Sequence, residues 1–302
     1  MARHKPFLAL VLTMLIWGLT PVFLRSLSVG LGPADALVIR YVPIAVACII
    51  ILAVTGKWRI ARTDWPRLLV ISIVGIFGYS AASVYAFATV PAGIGGLIYA
   101  TQPLFIVLLA VIMLGERLTL RIIAGLGLAL AGTVLLVWDD LAADGAAKPY
   151  LAGIFLLLFA CFAWSFYSIP GKVIIQRYGT LSITAMSLLI ATLPMLALAS
   201  PATIVTLNAM TGRQWLELAF LAGVSSFVAM FAWTYATARL PATTVGASLY
   251  VIPVIAVCAG ALFLDETVTF TTLLGGLLIL GGVALAQFGP RPSRVGHEQN
   301  AV

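Results

Sequence analysis

The sequence predicts an all-α integral membrane protein with ten transmembrane helices, arranged as two inverted five-helix repeats. The prediction rests on composition, on a long internal repeat and on the placement of Lys and Arg. Hydrophobic residues make up 62% of the 302 residues and charged residues only 9%, with a mean hydropathy of +1.13. Soluble domains carry roughly 25% charged residues, so this chain cannot cover a water-facing surface. Long continuous apolar runs exclude a transmembrane β-barrel, whose strands alternate.

The internal repeat begins at Tyr85. Its sequence aligns without a gap with the segment that begins at Tyr235, at a constant shift of 150 residues. The coincident residues include Pro91 with Pro241, Gly96 with Gly246, Pro103 with Pro253, Glu116 with Glu266, Gly125 with Gly275 and Gly132 with Gly282. Matching Pro and Gly are informative because each fixes a backbone feature. A self-match at fixed spacing indicates that one half of the chain duplicates the other.

Ten apolar runs are long enough to span a bilayer, which takes about 20 residues each. They lie at 6–24, 34–54, 65–88, 92–114, 119–138, 150–174, 181–200, 214–238, 242–264 and 269–288. The first run holds Trp17, Gly18 and Pro21 and lacks a small-residue cleavage site, which favours a retained helix over a signal peptide. We divide the chain into a first repeat (1–138), an inter-repeat loop (139–149), a second repeat (150–288) and a disordered cytoplasmic tail (289–302).

The basic residues predict the orientation. With the N-terminus in the cytoplasm and one crossing per helix, 13 of the 17 Lys and Arg lie inside. The four outside are Arg25, Arg40, Lys148 and Arg213. This bias follows the positive-inside rule and predicts cytoplasmic termini in a bacterial-type inner membrane. It also accounts for the net charge of +7 without nucleic acid as a partner.

An odd number of helices per repeat has a topological consequence. The second repeat enters the membrane from the side opposite to the first, so Glu116 and Glu266 lie on opposite faces. Inverted repeats of this kind are typical of secondary transporters. A shift of 147 extends the match to the first helices, because it aligns Trp17 with Trp164.

In these features the chain resembles the drug/metabolite transporter superfamily, in particular its EamA-type branch. The resemblance rests on Trp17 and Gly18 and on two matching sets, Pro103, Glu116 and Gly125, and Pro253, Glu266, Gly275 and Gly282. It implies ten helices in two inverted repeats and a central cavity lined mainly by helices 1, 3, 4, 6, 8 and 9. It also implies transport of amino acids, other metabolites, nucleotide sugars or drugs, often outward in bacteria.

Helical spacing places candidate substrate-cavity residues on shared faces, as for Trp17 with Thr20 and Tyr79 with Ser83. The predicted cavity residues are Trp17, Thr20, Tyr79, Ser83, Tyr99, Gln102, Trp164, Tyr167, Trp233 and Tyr250. Aromatic walls with a few polar tips suit an amphipathic organic solute, and they can hold an ammonium group by cation–π contact. Helix packing or an interfacial belt is the alternative for such aromatics.

Four further residues are predicted to act as hinges or gates. Pro103 and Pro253 are expected to kink their helices near the middle and free a carbonyl. Glu116 and Glu266 lie at helix ends, which favours a structural or gating role over proton transfer. Arg40 is the most deeply placed charge. Snorkelling to the outer headgroups is its preferred interpretation, and binding of a substrate carboxylate is the alternative.

These features predict a secondary transporter that moves a small amphipathic metabolite, of which an amino acid is one candidate, outward by alternating access. No cofactor or metal is expected, and both a monomer and a homodimer remain open. One alternative is a membrane-embedded enzyme acting on lipid or isoprenoid substrates. It is disfavoured because the only histidines are His4 and His297, at the termini. The other is a proton-coupled drug exporter, disfavoured because the first helix has no Glu.

Overall fold

The computed structural model describes residues 4–114, 119–141, 147–237, 239–240 and 248–287, and in these ranges the regular structure is helical. The helices are α1 Lys5–Leu31, α2 Pro33–Thr55, α3 Arg62–Phe87, α4 Ala92–Tyr99 with Gln102–Leu114, α5 Leu120–Leu141, α6 Ala147–Tyr178, α7 Thr180–Leu196, α8 Gly212–Ala219 continuing through Ala229–Thr237, α9 Val251–Leu264 and α10 Phe270–Gln287. Six described helices are long and apolar enough to cross a membrane, or seven if α7 and the short helix after it are one span bent by 110°. The chain is therefore a multi-pass membrane protein, and the count of ten spans remains a prediction.

Several predicted boundaries are corrected. The first helix extends to Leu31, so Arg25 lies inside α1 rather than beyond it. The predicted inter-repeat loop is shortened at both ends by α5 and α6. The predicted loop after residue 200 contains a short helix, Pro201–Ala209, which starts at a capping box between Ser200 and Thr203. Residues 115–118, 241–247 and 288–302 lie outside the described ranges, and with them Glu116 and the predicted tail.

Two glycine linkers show that the repeat extends over the first two helices of each half. Gly32 separates α1 from α2 with φ of 81°, and Gly179 separates α6 from α7 with φ of 86°. These positive φ values favour glycine. The two glycines are 147 residues apart, the same shift that aligns Trp17 with Trp164.

Both α3 and α8 contain a π-helical stretch, which sequence patterns did not predict. The stretches are Ile71–Gly78 and Phe220–Val228, at equivalent places in the two repeats. Close packing accompanies the first of them, because a Cβ on Gly75 would lie only 2.8 Å from the backbone nitrogen of Tyr167 in α6. π-Helical turns are rare and occur frequently at functional sites.

The predicted proline kinks take a different form. α4 is not one kinked helix but two segments separated at Ala100–Thr101. Pro103 lies in the first turn of the second segment. Backbone N–H groups in that turn have no acceptor within the helix, so the absence of one in proline costs no helical hydrogen bond. Pro253 likewise lies in the first turn of α9, after a turn at 249–250.

α5 and α10 pack backbone to backbone through glycines. A Cβ on Gly125 would lie 2.4 Å from the Gly282 carbonyl oxygen, and a Cβ on Gly132 would lie 2.6 Å from that of Gly275. The contacts ascend along α5 while they descend along α10, so the two helices are antiparallel. Gly125 contacts Gly282, the repeat counterpart of Gly132, and Gly132 contacts Gly275, the repeat counterpart of Gly125. A two-fold axis between the helices produces this arrangement.

The remaining packing follows the same exchange of halves. α1 packs on α8 and α9, and α6 packs on α3 and α4. α2 packs on α7, and α4 packs on α9. Each half therefore donates its first helix to the bundle of the other half, and the main hydrophobic core spans both.

The glycine contact predicts a selective effect of one methyl group. Gly132→Ala is expected to push α5 and α10 apart and to lower the free energy of unfolding by about 1–3 kcal/mol, the usual cost of overpacking. Gly127→Ala is the matched control on the same helix, because nothing lies within 4 Å of a Cβ there. Thermal unfolding in detergent should show a lower midpoint for the first variant only, and equal midpoints would contradict the close contact.

Candidate substrate site

Four of the predicted cavity residues form one aromatic cluster between α3, α4 and α6. The Tyr79 ring centroid lies 5.1 Å from that of Trp164 and 5.9 Å from that of Tyr99. Trp164 in turn lies 5.2 Å from Tyr167. Tyr79 directly follows the π-helical stretch of α3, and Tyr99 directly precedes the break in α4. The helix irregularities thus position the aromatic rings.

The hydroxyl groups of this cluster bond to neighbouring side chains. Tyr99 donates to Ser83 Oγ at 2.6 Å, and Ser83 donates to the Tyr79 carbonyl at 2.6 Å. The Tyr167 hydroxyl pairs with Thr184 of α7 at 2.9 Å. Buried tyrosines generally need such partners, and here the partners also fix the rings in place. The result is an amphipathic wall with aromatic faces and a few polar tips.

The remaining aromatic pair forms a second cluster between α1 and α8. Trp17 lies 5.3 Å from Trp233, centroid to centroid, and packs with Leu10 and Met14 in a separate hydrophobic cluster. Nearby on the same two helices, Thr20 Oγ1 lies 2.9 Å from Ser225 Oγ. Trp17 and Trp164 are repeat counterparts, so the two clusters occupy equivalent places in the two halves.

The last two predicted cavity residues flank helix ends. Gln102 is the first residue of the second segment of α4, and Tyr250 directly precedes α9. Both are half-buried. The structure groups eight of the ten predicted residues into two clusters. That these residues line a substrate cavity remains a prediction.

Two cavities lie beside these clusters rather than inside them. One of about 150 Å³ is bounded by α2, α7 and α8 and includes Thr184, the partner of Tyr167. The other, of about 730 Å³, lies between α2, α8 and the short helix, with Val42, Ile204 and Trp215 in its walls. Their linings are almost wholly apolar, and they share Phe227. We interpret them as lateral recesses between helices rather than as the predicted central site.

Glu266 caps the start of α4. Its Oε1 accepts the Ala92 backbone N–H at 2.6 Å, and its Oε2 accepts that of Gly93 at 2.9 Å. A carboxylate at this end also interacts favourably with the helix dipole. Gly260 makes room for it, because a Cβ there would lie 2.4 Å from Oε2. Arg25 lies within electrostatic range of Glu266 and donates to the Phe87 carbonyl at 2.7 Å.

Two buried carboxylates, which sequence patterns did not single out, join the halves at other helix ends. Asp64 accepts from Arg177 and from the Tyr178 hydroxyl, both at 2.7 Å. Glu217, only 2% exposed, accepts from Ser26 at 2.8 Å and from Arg213 at 2.9 Å. The spacing of Arg213 and Glu217 by four residues was the available signal. In the described ranges no group of three His, Cys, Asp or Glu is placed to hold a metal ion.

Comparisons with known proteins agree with this architecture. The chain matches the EamA-like transporter family over residues 4–138 and 151–288. It is 29% identical over 285 residues, 94% of both chains, to a Streptantibioticus cattleyicolor protein named "Probable terminal-alkyne amino-acid exporter". It is 28% identical over 303 residues to an Escherichia coli protein named "Probable amino-acid metabolite efflux pump", covering 96% of this chain and 97% of that one.

The chain also matches another relative over a shorter stretch, and its fold is similar to that of a solved structure. The chain is 28% identical over 229 residues to the "Aromatic amino acid exporter YddG" of Ancylobacter novellus, covering 75% of this chain and 77% of that one. A solved structure titled "Crystal structure of protein" has a TM-score of 0.60 at 24% identity, over 94% of this chain and 97% of that one. At this identity the structure shows a shared fold.

The cap on α4 predicts a graded loss of stability at position 266. Glu266→Ala is expected to leave the buried N–H groups of Ala92 and Gly93 without acceptors, at about 1–3 kcal/mol for each. Glu266→Gln retains one acceptor oxygen, so its stability should lie between that of Glu266→Ala and that of the natural protein. Hydrogen exchange at these two amides, together with thermal unfolding, measures the effect. Asp265→Asn, at the exposed neighbouring residue, is the control and should leave both readouts unchanged. Faster exchange of the Ala92 and Gly93 amides in this control variant would argue against a specific cap by Glu266.

Proposed function

Because the chain belongs to the EamA-like transporter family, we propose that it is a secondary transporter that exports a small amphipathic metabolite of the amino-acid class. The observation that supports this proposal most directly is the aromatic cluster of Tyr79, Tyr99 and Trp164 with its hydroxyl tips. Such a wall suits a solute that is apolar at one end and polar at the other. The names of the relatives, which describe amino-acid exporters or efflux pumps, support the amino-acid class and the outward direction.

The proposed mechanism is alternating access between two inverted repeats of five helices in a ten-span protein. It is supported by the antiparallel packing of α5 on α10, in which two glycines of α5 contact the two glycines at the equivalent positions of α10. It is also supported by the exchanged packing of α1 and α6. Two halves of similar structure and opposite orientation can exchange conformations, so that the site opens to one face and then to the other. The placement of Lys and Arg favours cytoplasmic termini in an inner membrane.

The moving parts are proposed to be the irregular stretches of α3, α4 and α8. A transition between two states requires elements with two discrete packing arrangements. A helix that is broken at 100–101 or widened in a π-helical stretch bends there at less cost than a regular helix. The stretches of α3 and α4 adjoin Tyr79 and Tyr99, so a change in their geometry moves the aromatic wall directly.

Cysteine labelling tests the inverted topology. Arg117 and Thr267 are repeat counterparts 150 residues apart, and in a Cys258→Ser background we expect Arg117→Cys to be labelled from the cytoplasm and Thr267→Cys from outside. The two remaining cysteines, Cys48 and Cys161, are buried and interfere little. The measurement compares a membrane-impermeant maleimide on inside-out and right-side-out vesicles. Labelling of both positions from the same face would disprove the inverted arrangement.

Loss of the central aromatic rings tests the site. Trp164→Ala and Trp17→Ala are expected to reduce flux of a transported amino acid in proteoliposomes at least tenfold, because each removes a wall of its cluster. Trp58→Ala is the matched control, since that side chain is 44% exposed near the end of α2. Unfolding midpoints exclude misfolding as the cause. Undiminished flux in both cluster variants would place the substrate elsewhere.

A further inference from the structure

Arg40 lies on the interior face of α2. Ala36 and Ile44, one turn before and one turn after it on that face, are 2% and 1% exposed. The face of α2 toward lipid is marked by Val42 and Val46, which are 42% and 52% exposed. A guanidinium between two buried neighbours does not follow the lipid-facing side of its helix to the headgroups. Its position therefore disfavours the snorkelling interpretation.

The Arg40 guanidinium lacks a counter-ion in the described part of the chain. The ion pairs there join Arg177 to Asp64 and Arg213 to Glu217. Arg40 Nε is buried and has no hydrogen-bond partner among the described residues, whereas the residue as a whole is half-buried. A buried N–H of a charged group costs free energy when it is left unpaired. Because the folded chain does not offset this cost, we take the missing hydrogen-bond acceptor to belong to a bound molecule.

Arg40 lies beside the aromatic cluster. Its Cζ lies 5.5 Å from the centroid of the Tyr41 ring. The Tyr41 hydroxyl is hydrogen-bonded to Ser80, the residue after Tyr79. Arg40 also lies within electrostatic range of the Tyr79 hydroxyl. The cation is thus placed at the edge of the wall that Tyr79, Tyr99 and Trp164 form.

The second repeat does not reproduce this cation. The shift of 147 that aligns the paired glycines and tryptophans places Ser187 opposite Arg40. Ser187 is buried and uncharged. A residue required by the shared scaffold would be expected in both halves. A charge in one half alone is what recognition of an asymmetric solute requires.

We propose that Arg40 binds the carboxylate of the transported solute. Its planar fork matches a carboxylate bidentately, while the apolar part of the solute lies on the aromatic rings. The substrate class is then a monocarboxylate with an aromatic or other apolar side chain. This inference rests on the proposed function, because it names the substrate class of the same site.

The test compares acids with their amides in proteoliposomes. The probes are L-phenylalanine, L-methionine and L-leucine, each beside its amide, in counterflow with the full chain. The natural protein is expected to move at least one acid tenfold or more faster than the matching amide. Arg40→Gln should bring that ratio close to one by slowing the acid, and Arg40→Lys should reduce it partially. Arg59→Gln, which removes the same charge from an exposed position, should leave the ratio unchanged.

A second measurement needs no folded variant. Phenylglyoxal modifies accessible guanidinium groups, and mass spectrometry identifies the modified residue. The transported acid should protect Arg40 in the natural protein, whereas its amide should not, and neither should protect Arg59. Equal transport of acid and amide, an unchanged ratio in folded Arg40→Gln, or an absence of protection would each overturn the role of Arg40 and leave the transporter intact. Failure of the natural protein to move any solute in a broad counterflow screen would instead remove the proposed function.

Discussion

A helix that starts inside a membrane protein must find acceptors for its first backbone N–H groups, and α4 meets this constraint through Glu266. Ala92 and Gly93 are buried, so their N–H groups cannot bond to water and the protein must supply the acceptors. The carboxylate comes from the loop between α9 and α10, in the other half of the chain, and approaches closely because Gly93 and Gly260 lack side chains. The position of α4 therefore depends on the second half.

The same dependence recurs where α3 meets α6 and where α8 meets α1. Asp64 joins the start of α3 to the end of α6, and Glu217 joins the start of α8 to the end of α1. These are equivalent junctions under exchange of halves, yet their chemistry differs. The first is an ion pair supported by a tyrosine, whereas the second links a carboxylate to Ser26 and takes its cation from its own helix. In the proposed topology the two junctions lie at opposite faces of the membrane.

The sequence predicts the helical class, the duplication and the paired positions because Pro, Gly and Glu mark backbone features that recur at one spacing. It also identifies Tyr79, Tyr99 and Trp164 as candidate cavity residues. The structure brings their rings together, and cavity lining stays a prediction. The sequence does not predict the π-helical stretches or the break in α4. Those depend on contacts between distant residues, such as Gly75 against the Tyr167 backbone, which no local propensity encodes. For the same reason the sequence favours snorkelling for Arg40, because helix position alone does not show that its neighbours at 36 and 44 are buried.

A symmetric scaffold that binds an asymmetric solute must carry different side chains at equivalent places. Trp17 and Trp164 are the same in both halves, which suits a feature that both conformations use. Tyr79 and Tyr99, however, correspond to Ala229 and Leu249 at the shift of 150. The first half thus supplies the Tyr79 and Tyr99 hydroxyl groups on the wall that adjoins Arg40, while the equivalent positions of the second half are apolar. Since an amphipathic solute has one polar end, this distribution favours a single orientation in the site. In the proposed mechanism the backbone repeat accounts for opening to either face, and the side chains that break the repeat account for which solute is carried.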